Sequence, residues 1–120
     1  MTACPCGRPE PYDACCGRYH RGEATPPTPE RLMRSRFSAF AVGGAAYLLQ
    51  TWHPTTRPAA LDLDDGVRWT RLEVLSARGG LLDPEGEVHF RAHSTAGVLE
   101  ERSRFVRDTG RWAYLGAVHR

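Results

Sequence analysis

The 120-residue sequence contains no lysine, no asparagine and no isoleucine, and all sixteen of its basic residues are arginine. The codons of the three missing residues are rich in A and T, so a GC-rich coding background explains the arginine excess without a nucleic-acid partner. Arginines also alternate with acids, as in the stretch EERSRFVRD at 100–108, and the formal net charge is only +2. Because the basic stripe of a nucleic-acid-binding surface is missing, we expect no nucleic-acid partner.

The sequence also lacks a long apolar run. No stretch approaches the roughly 18 continuous apolar residues of a membrane-spanning helix, and residues 1–6 have neither the basic start nor the apolar centre of a signal peptide. These absences predict a cytoplasmic protein without membrane insertion. A chain of this length accommodates one ordinary hydrophobic core.

Cysteine is absent after residue 16, and all four cysteines lie at Cys4, Cys6, Cys15 and Cys16. Disulfides are rare in a reducing cytoplasm, and a bridge within either close pair would close a small, strained ring. Two short cysteine pairs separated by a loop can instead converge on one tetrahedral Zn²⁺. Four thiolates would leave no open position, so the pattern predicts one structural zinc ion.

Two alternatives stay open for this segment. His20 lies four residues after Cys16 and is an alternative fourth ligand. The cysteines are also compatible with a thiol redox switch. Gly7 and Gly17 follow the two cysteine pairs, and we expect both to adopt positive-φ turns that aim N–H groups at sulfur. Nearby arginines are expected to offset the negative charge of the zinc centre, namely Arg8, Arg18 and Arg21.

The stretch CPCGRPEPYDACCGRYH resembles the SEC-C zinc motif, which also ends the SecA preprotein translocase. The resemblance implies that the four cysteines bind zinc, with either cysteine or histidine at the last position. It also implies that the segment is a protein-interaction module. Arg8-Pro9 replaces the usual Ser-Gly of the motif, which changes the loop and leaves the ligands in place.

The proline-rich stretch ATPPTPERL predicts a boundary near residue 27 and a helix that Thr28 caps and Pro29 begins. The next fifteen or so residues have helical period. Their predicted apolar face comprises Leu32, Met33, Phe37, Phe40 and Ala41. The residues expected to turn away from the core are Arg31, Arg34 and Ser38. After Gly43-Gly44, a second short helix is predicted over 45–53, ending before Pro54.

The second half of the chain alternates apolar and polar residues, and turn sequences separate the runs. We predict strands over 67–78, 86–95, 98–107 and 111–118. Helices followed by hairpin-linked strands predict an α+β fold, with two N-terminal helices packed on a curved antiparallel sheet of about four strands. His89, Arg91 and His93 share the outer sheet face, which predicts a homodimer through that face.

RSRFSAF at 34–40, YLLQTWHPTTRP at 47–58 and ERSRFVRDTGRWAY at 101–114 together resemble the YchJ-like family of bacterial proteins. This resemblance implies a nuclear-transport-factor-2-like (NTF2-like, cystatin-like) cone that encloses a cavity. The predicted organisation is a zinc-binding segment with its hinge over 1–27 and the cone over 28–120.

No G-x-S-x-G, HExxH, Walker A or GxGxxG motif occurs, so no catalytic pattern supports an enzyme, and the sequence favours a binding protein. The preferred hypothesis is that the zinc segment recognises a protein partner. The alternative is a small-molecule binder, or an isomerase-like or dehydratase-like enzyme, that uses the cone cavity. His53 is the polar group expected to act there, with Trp52 and Arg36 as further cavity candidates. Arg34 and Arg36 are also expected to pair with Glu101 across the helix–sheet contact.

Overall fold

The computed structural model describes residues 3–118 and has the α+β arrangement predicted from the sequence. A short 3-10 turn at Tyr12–Ala14 precedes three helices, which are α1 at Cys16–His20, α2 at Pro29–Val42 and α3 at Ala45–Gln50. Four strands follow, which are β1 at Trp69–Arg78, β2 at Glu85–Ser94, β3 at Gly97–Asp108 and β4 at Arg111–Ala117. Every predicted strand is present, with bounds within two residues of the prediction.

The four strands form one antiparallel sheet in the order β1-β2-β3-β4, so each strand is joined to its neighbour by a hairpin. Register shifts interrupt the β1–β2 pairing and the β3–β4 pairing. Such irregularities bend a sheet and increase its twist. The sheet is therefore curved as predicted, and its inner face carries Val88, Phe90 and Ala92 from β2.

Helix α2 begins and ends as its sequence predicts. The side chain of Thr28 accepts a hydrogen bond from the backbone N–H of Arg31, and Pro29 occupies the first turn. Gly43 ends the helix with a φ of 80°, a left-handed conformation that glycine adopts without strain. Leu32, Met33 and Phe37 pack against the inner face of the sheet.

The prediction that only one face of α2 is buried is wrong. Ser35 and Ser38 are fully buried, whereas Ala41 is exposed. The reason is that α2 lies between two layers: the sheet packs on one side, and the cysteine segment packs on the other. The spacing of apolar residues along α2 does not reveal contacts with the cysteine segment, because those contacts use polar side chains of the helix.

Helix α3 is shorter than predicted, because the chain leaves it after Gln50 to pair with β4. The backbone N–H of Tyr114 donates to the carbonyl of Thr51 at 2.8 Å, and the N–H of His53 donates to the carbonyl of Tyr114 at 2.8 Å. Trp52 and Tyr114 form a parallel bridge between these bonds. This pairing places Trp52 beside the sheet.

The cysteine segment is in direct contact with α2. The Arg34 guanidinium donates to the carbonyl of Cys6 at 2.7 Å, and the sulfur of Cys4 lies 3.4 Å from the Ser38 hydroxyl oxygen. The domain boundary predicted near residue 27 stays a prediction. Residues 1, 2, 119 and 120 of the predicted domains lie outside the described part of the chain.

Candidate metal centre and cone cavity

The four cysteine sulfurs form one compact cluster. All four residues are buried, each at 4% exposure or less, and their sulfurs lie within 4.8 Å of one another. The sulfurs of Cys6 and Cys15 are 3.7 Å apart. Tetrahedral zinc with bonds of about 2.3 Å separates its thiolate ligands by about 3.8 Å. The cluster therefore has the donor set and the spacing that a tetrahedral metal site requires.

Two tight turns bring the cysteine pairs together. Gly7 has a φ of 95°, and its N–H donates to the carbonyl of Cys4 at 3.2 Å, which closes the first turn. The second pair lies where the 3-10 turn leads into α1, and Cys16 is the first residue of that helix. The first of the two predicted glycine turns is present.

The prediction for Gly17 is wrong, because this residue belongs to α1 and has no positive φ. It is required for a steric reason instead. A Cβ atom at this position would lie 2.8 Å from the carbonyl oxygen of Tyr12 and 2.9 Å from a guanidinium nitrogen of Arg21. Glycine therefore lets α1 approach the loop that joins the two cysteine pairs.

The thiols of Cys6, Cys15 and Cys16 differ in pKa because of burial and of hydrogen bonds between the cysteines. A hydrogen bond from Cys16 lowers the pKa of Cys6 to about 5, and the same bond raises the pKa of Cys16 well above its ordinary value. Burial raises the pKa of Cys15 to about 11. Without a cation these shifts favour a thiolate at Cys6 and keep Cys15 and Cys16 protonated at neutral pH. A bound divalent cation favours the deprotonated form of each thiol that it coordinates.

His20 is not part of the sulfur cluster, and both of its ring nitrogens have other partners. Nε2 donates to the carbonyl of Ser35 at 2.8 Å, and Nδ1 lies 2.5 Å from the Tyr12 hydroxyl. Burial lowers the pKa of His20, so the imidazole is neutral and Nδ1 accepts from Tyr12. His20 therefore links the loop of the cysteine segment to α2.

The arginines of the segment interact mainly with groups other than the sulfurs, although the pKa of Arg8 is raised first by Glu10 and then also by the charges of Cys15 and Cys6. Arg8 pairs with Glu10 at 3.0 Å, and Arg21 pairs with Glu23 at 2.6 Å, so carboxylates already balance both charges. The guanidinium carbon of Arg18 lies 5.4 Å from the ring centroid of Tyr19. The cation that contacts the cluster backbone is Arg34, which the helical pattern assigned to the solvent side.

A cavity of about 130 Å³ lies between α2 and the curved sheet. Aromatic side chains form much of its wall, namely Phe37, Phe40, Trp52, Trp69 and Phe90. Its polar residues are Arg36, Glu101, Ser103 and Tyr114. Two predicted cavity residues, Trp52 and Arg36, thus line this space. Glu101, Ser103 and Tyr114 were not predicted, because strand alternation alone does not distinguish a cavity from a filled core.

His53 is not among the residues that line the cavity, so its predicted role there is not supported by the geometry. Its Nδ1 lies 2.7 Å from the Thr55 hydroxyl oxygen and accepts the backbone N–H of the same residue at 3.2 Å. The side chain thus closes the turn after α3. The backbone pairing with β4 directs Trp52, its neighbour, towards the cavity instead.

Arg36 is 3% exposed, and its Nη1 donates to the carbonyl of Leu48 and to the hydroxyl of Thr51, both at 2.8 Å. Its guanidinium carbon lies 5.0 Å from the ring centroid of Trp52 and 4.5 Å from that of Tyr114. Burial lowers the pKa of Arg36 to about 10, so it stays charged at neutral pH.

The predicted ion pairs between Arg34 or Arg36 and Glu101 do not form. Arg34 pairs with Glu30 one helical turn earlier, at 3.0 Å. Glu101 accepts from the hydroxyls of Ser103 at 2.5 Å and Tyr114 at 3.1 Å, both on the same carboxylate oxygen. Burial raises the pKa of Tyr114 to about 12, which keeps its hydroxyl protonated as a donor.

A UPF0225 protein of Streptomyces coelicolor is 59% identical over 112 residues, which cover 92% of this chain and 90% of that protein. The chain belongs to the UPF0225 family. A second UPF0225 protein, from Deinococcus radiodurans, is 46% identical and covers 96% of this chain and 88% of its own length. The family model for the YchJ middle NTF2-like domain matches residues 28–117. The YchJ-like resemblance and the NTF2-like fold are therefore confirmed.

Two solved structures share this UPF0225 fold over the whole chain. The solution structure of a SEC-C motif containing protein from Rhodopseudomonas palustris has a TM-score of 0.84 at 29% identity and covers 99% of both chains. The crystal structure of a SEC-C motif containing protein from Psychrobacter arcticus has a TM-score of 0.80 at 26% identity, covering 100% of this chain and 85% of that one. Among residues 3–118, no helix is long and apolar enough to cross a membrane.

Proposed function

We propose that Cys4, Cys6, Cys15 and Cys16 bind one structural Zn²⁺ and that this centre fastens the N-terminal segment to α2 of a binding protein. The observation that carries the proposal is the cluster of four buried sulfurs within 4.8 Å. The resemblance to the SEC-C zinc motif supports the same ligand set. Thiolate coordination of this kind suits a reducing cytoplasm, where we propose that the protein acts.

Burial supports a structural rather than a catalytic role for the metal. A catalytic zinc keeps one coordination position for water or substrate, whereas four protein sulfurs fill a tetrahedral shell. The cluster also has almost no apolar core beyond the cysteines, since Tyr12 is the hydrophobic residue packed against it. Metal binding supplies the stability that such a small segment lacks, and apparent zinc affinities of thiolate peptides are about 10–16 kcal/mol.

Metal analysis of protein purified without chelator or added metal tests this proposal. We expect one zinc per chain and four thiols that react with a thiol reagent only after chelation. Substitution with Co²⁺ should give the visible absorption of a tetrahedral thiolate site. A metal-free protein with two readily oxidised cysteine pairs would overturn the proposal and favour the thiol redox switch.

We further propose that the exposed surface of the zinc segment contacts a protein partner, as the SEC-C resemblance implies. Asp13 and Arg21 are exposed on this segment, whereas the four cysteines are buried, so the partner would contact charged side chains and not the sulfurs. A partner whose binding is weakened by Asp13→Arg, with zinc content unchanged, would support this role. Equal binding of the partner by the unmodified protein and by Asp13→Arg would contradict this role.

The proposed homodimer would use the outer face of the sheet. The charges of that face are paired within the chain: His89 and Arg91 each lie 2.8 Å from Glu100, and His93 lies 2.7 Å from Glu73. These pairs leave little unbalanced charge to attract a second copy, but they form a polar row that a dimer can bury. A monomeric mass by light scattering at micromolar concentration would contradict the dimer.

A second candidate function is the binding of a small molecule in the cone cavity. The specific observation in its favour is Arg36, a buried cation at the cavity wall that has no carboxylate within 4.0 Å in the described part of the chain. A wall of this composition fits ligand binding, because small-molecule sites combine apolar surface with a few fixed polar groups. Catalysis has no comparable support.

A further inference from the structure

The volume and walls of the cone cavity suit a ligand with one small ring. Its volume is about 130 Å³, and an engineered protein cavity of about 150 Å³ binds benzene. The walls include Phe37, Phe40 and Trp69, whose rings provide faces and edges for a second aromatic ring. A planar ring therefore fits the cavity better than a branched or charged chain.

The polar end of the cavity contains a cation with unused donors. Arg36 uses only Nη1 in its bonds to Leu48 and Thr51. Between residues 3 and 118, neither Nε nor Nη2 of Arg36 has a hydrogen-bond partner. Trp52 and Tyr114 contact the guanidinium through their rings and do not accept these N–H groups as a carbonyl does. Because these nitrogens have no partner among the described residues, they are free to donate to an acceptor inside the cavity.

The same end contains an unused acceptor. Glu101 accepts both of its hydrogen bonds on Oε2, from Ser103 and Tyr114, and Oε1 has no partner within residues 3–118. Tyr114 connects the two charged residues, because its ring contacts Arg36 and its hydroxyl binds Glu101. One positive and one negative group thus share the same wall, and their formal charges cancel.

Cancelling charges disfavour an ionic ligand. An anion paired with Arg36 would lie in the same cavity as the carboxylate of Glu101, and a cation paired with Glu101 would lie beside the guanidinium. Burying an unbalanced charge among aromatic walls is expensive. A neutral group that both accepts and donates satisfies both residues without adding charge.

We propose that the cavity binds a small uncharged aromatic molecule with a primary amide or lactam edge, whose carbonyl accepts from Arg36 and whose N–H donates to Glu101. This proposal rests on the second candidate function, small-molecule binding, and names its ligand class. It is independent of the zinc centre, whose sulfurs contact the opposite side of α2 through Ser38.

Three probes of nearly equal size and different charge test the proposal: benzamide, benzoate and benzylammonium. Binding is followed by protein NMR through the indole N–H signals of Trp52 and Trp69, which line the cavity. For a fragment of this size we expect a Kd on the order of millimolar for benzamide. Benzoate and benzylammonium should bind at least about tenfold more weakly, because each brings a charge close to the like-charged residue of the cavity wall.

The variant Glu101→Gln keeps the size of the side chain and removes its charge. We expect the penalty against benzoate to fall by about tenfold, because the repelling carboxylate is gone. Glu100→Gln is the matched control, since Glu100 lies on the outer face beside His89 and Arg91. The control should keep the selectivity of the unmodified protein.

The outcomes separate the ligand class from cavity binding as such. If benzoate binds more tightly than benzamide, the amide class is wrong and small-molecule binding stands. If none of the three probes shifts the indole signals, both the ligand class and the second candidate function are overturned. If Glu101→Gln and Glu100→Gln change selectivity equally, Glu101 is not part of the site. Zinc content should be the same in all three proteins.

Discussion

Replacement of Cys6 by serine is expected to abolish zinc retention and to lower the free energy of unfolding by about 3–5 kcal/mol. Cys6 is fully buried, and its sulfur is central to the cluster through its contacts with Cys15 and Cys16. A serine hydroxyl is not ionised at neutral pH and cannot replace the thiolate. Metal content is measured by mass spectrometry, and stability by urea denaturation.

His20→Gln is the matched control, because His20 is the alternative fourth ligand suggested by the sequence. This variant should retain one zinc and lose about 1–2 kcal/mol, since the hydrogen bonds to Tyr12 and Ser35 are weakened. The four-sulfur assignment would be wrong if Cys6→Ser kept a full equivalent of zinc. It would also be wrong if His20→Gln lost the metal while remaining folded.

The cysteine cluster could be predicted from the sequence because all four cysteines lie close together in the chain. Two close pairs with eight residues between them can meet only through tight turns, and the glycine after the first pair supplies one of them. The strands could be predicted equally well, since alternation of apolar and polar residues and the turn residues between the runs mark each hairpin. The bounds of β2, predicted at 86–95, differ by one residue at each end from Glu85–Ser94.

The burial of Ser38 and the contact of Arg34 with Cys6 could not be predicted in the same way. Both residues lie on the side of α2 that looks polar when only helical periodicity is considered. They contact residues 28 and 34 positions earlier in the chain. A polar side chain can be buried when a second layer supplies its partner, and the sequence of α2 alone does not reveal that layer.

The cavity also could not be predicted from local sequence patterns, because its residues lie far apart in the chain. Arg36 comes from α2, Trp52 from the segment after α3, and Tyr114 from β4. The interpretation of His53 failed because it treated the end of α3 as an isolated helix end. Pairing of residues 51–53 with Tyr114 decides instead which of the neighbouring side chains faces the cavity.

Helix α2 therefore connects the two candidate sites. Ser38 and Arg34 contact the cysteine segment, while Phe37 and Arg36 line the cavity. The position of this one helix on the sheet determines the geometry on both sides. Its N-terminal end is fixed where Pro29 meets a glycine of β2, and that contact provides a direct test of how closely helix and sheet must approach.

Replacement of Gly86 by alanine is expected to lower the free energy of unfolding by about 3 kcal/mol. Overpacking of a close contact usually costs about 1–3 kcal/mol, and we expect the upper end of this range because backbone atoms would have to move. A Cβ atom at this position would lie 2.4 Å from the carbonyl oxygen of Arg78 and 2.5 Å from Cγ of Pro29. Relief requires either β1 or the start of α2 to shift. Urea denaturation measures the loss.

Gly80→Ala is the matched control for Gly86→Ala, because Gly80 lies in the preceding turn and its added Cβ would come no closer than 3.7 Å to Asp83. Its stability should change by no more than about 0.5 kcal/mol. If the two alanine variants were equally stable, α2 would not be held against the sheet by the Pro29 contact. A large loss confined to Gly86→Ala would instead show that the close approach of α2 to the backbone of the sheet fixes this helix, which both candidate sites share. Any side chain larger than that of glycine at position 86 would prevent this approach.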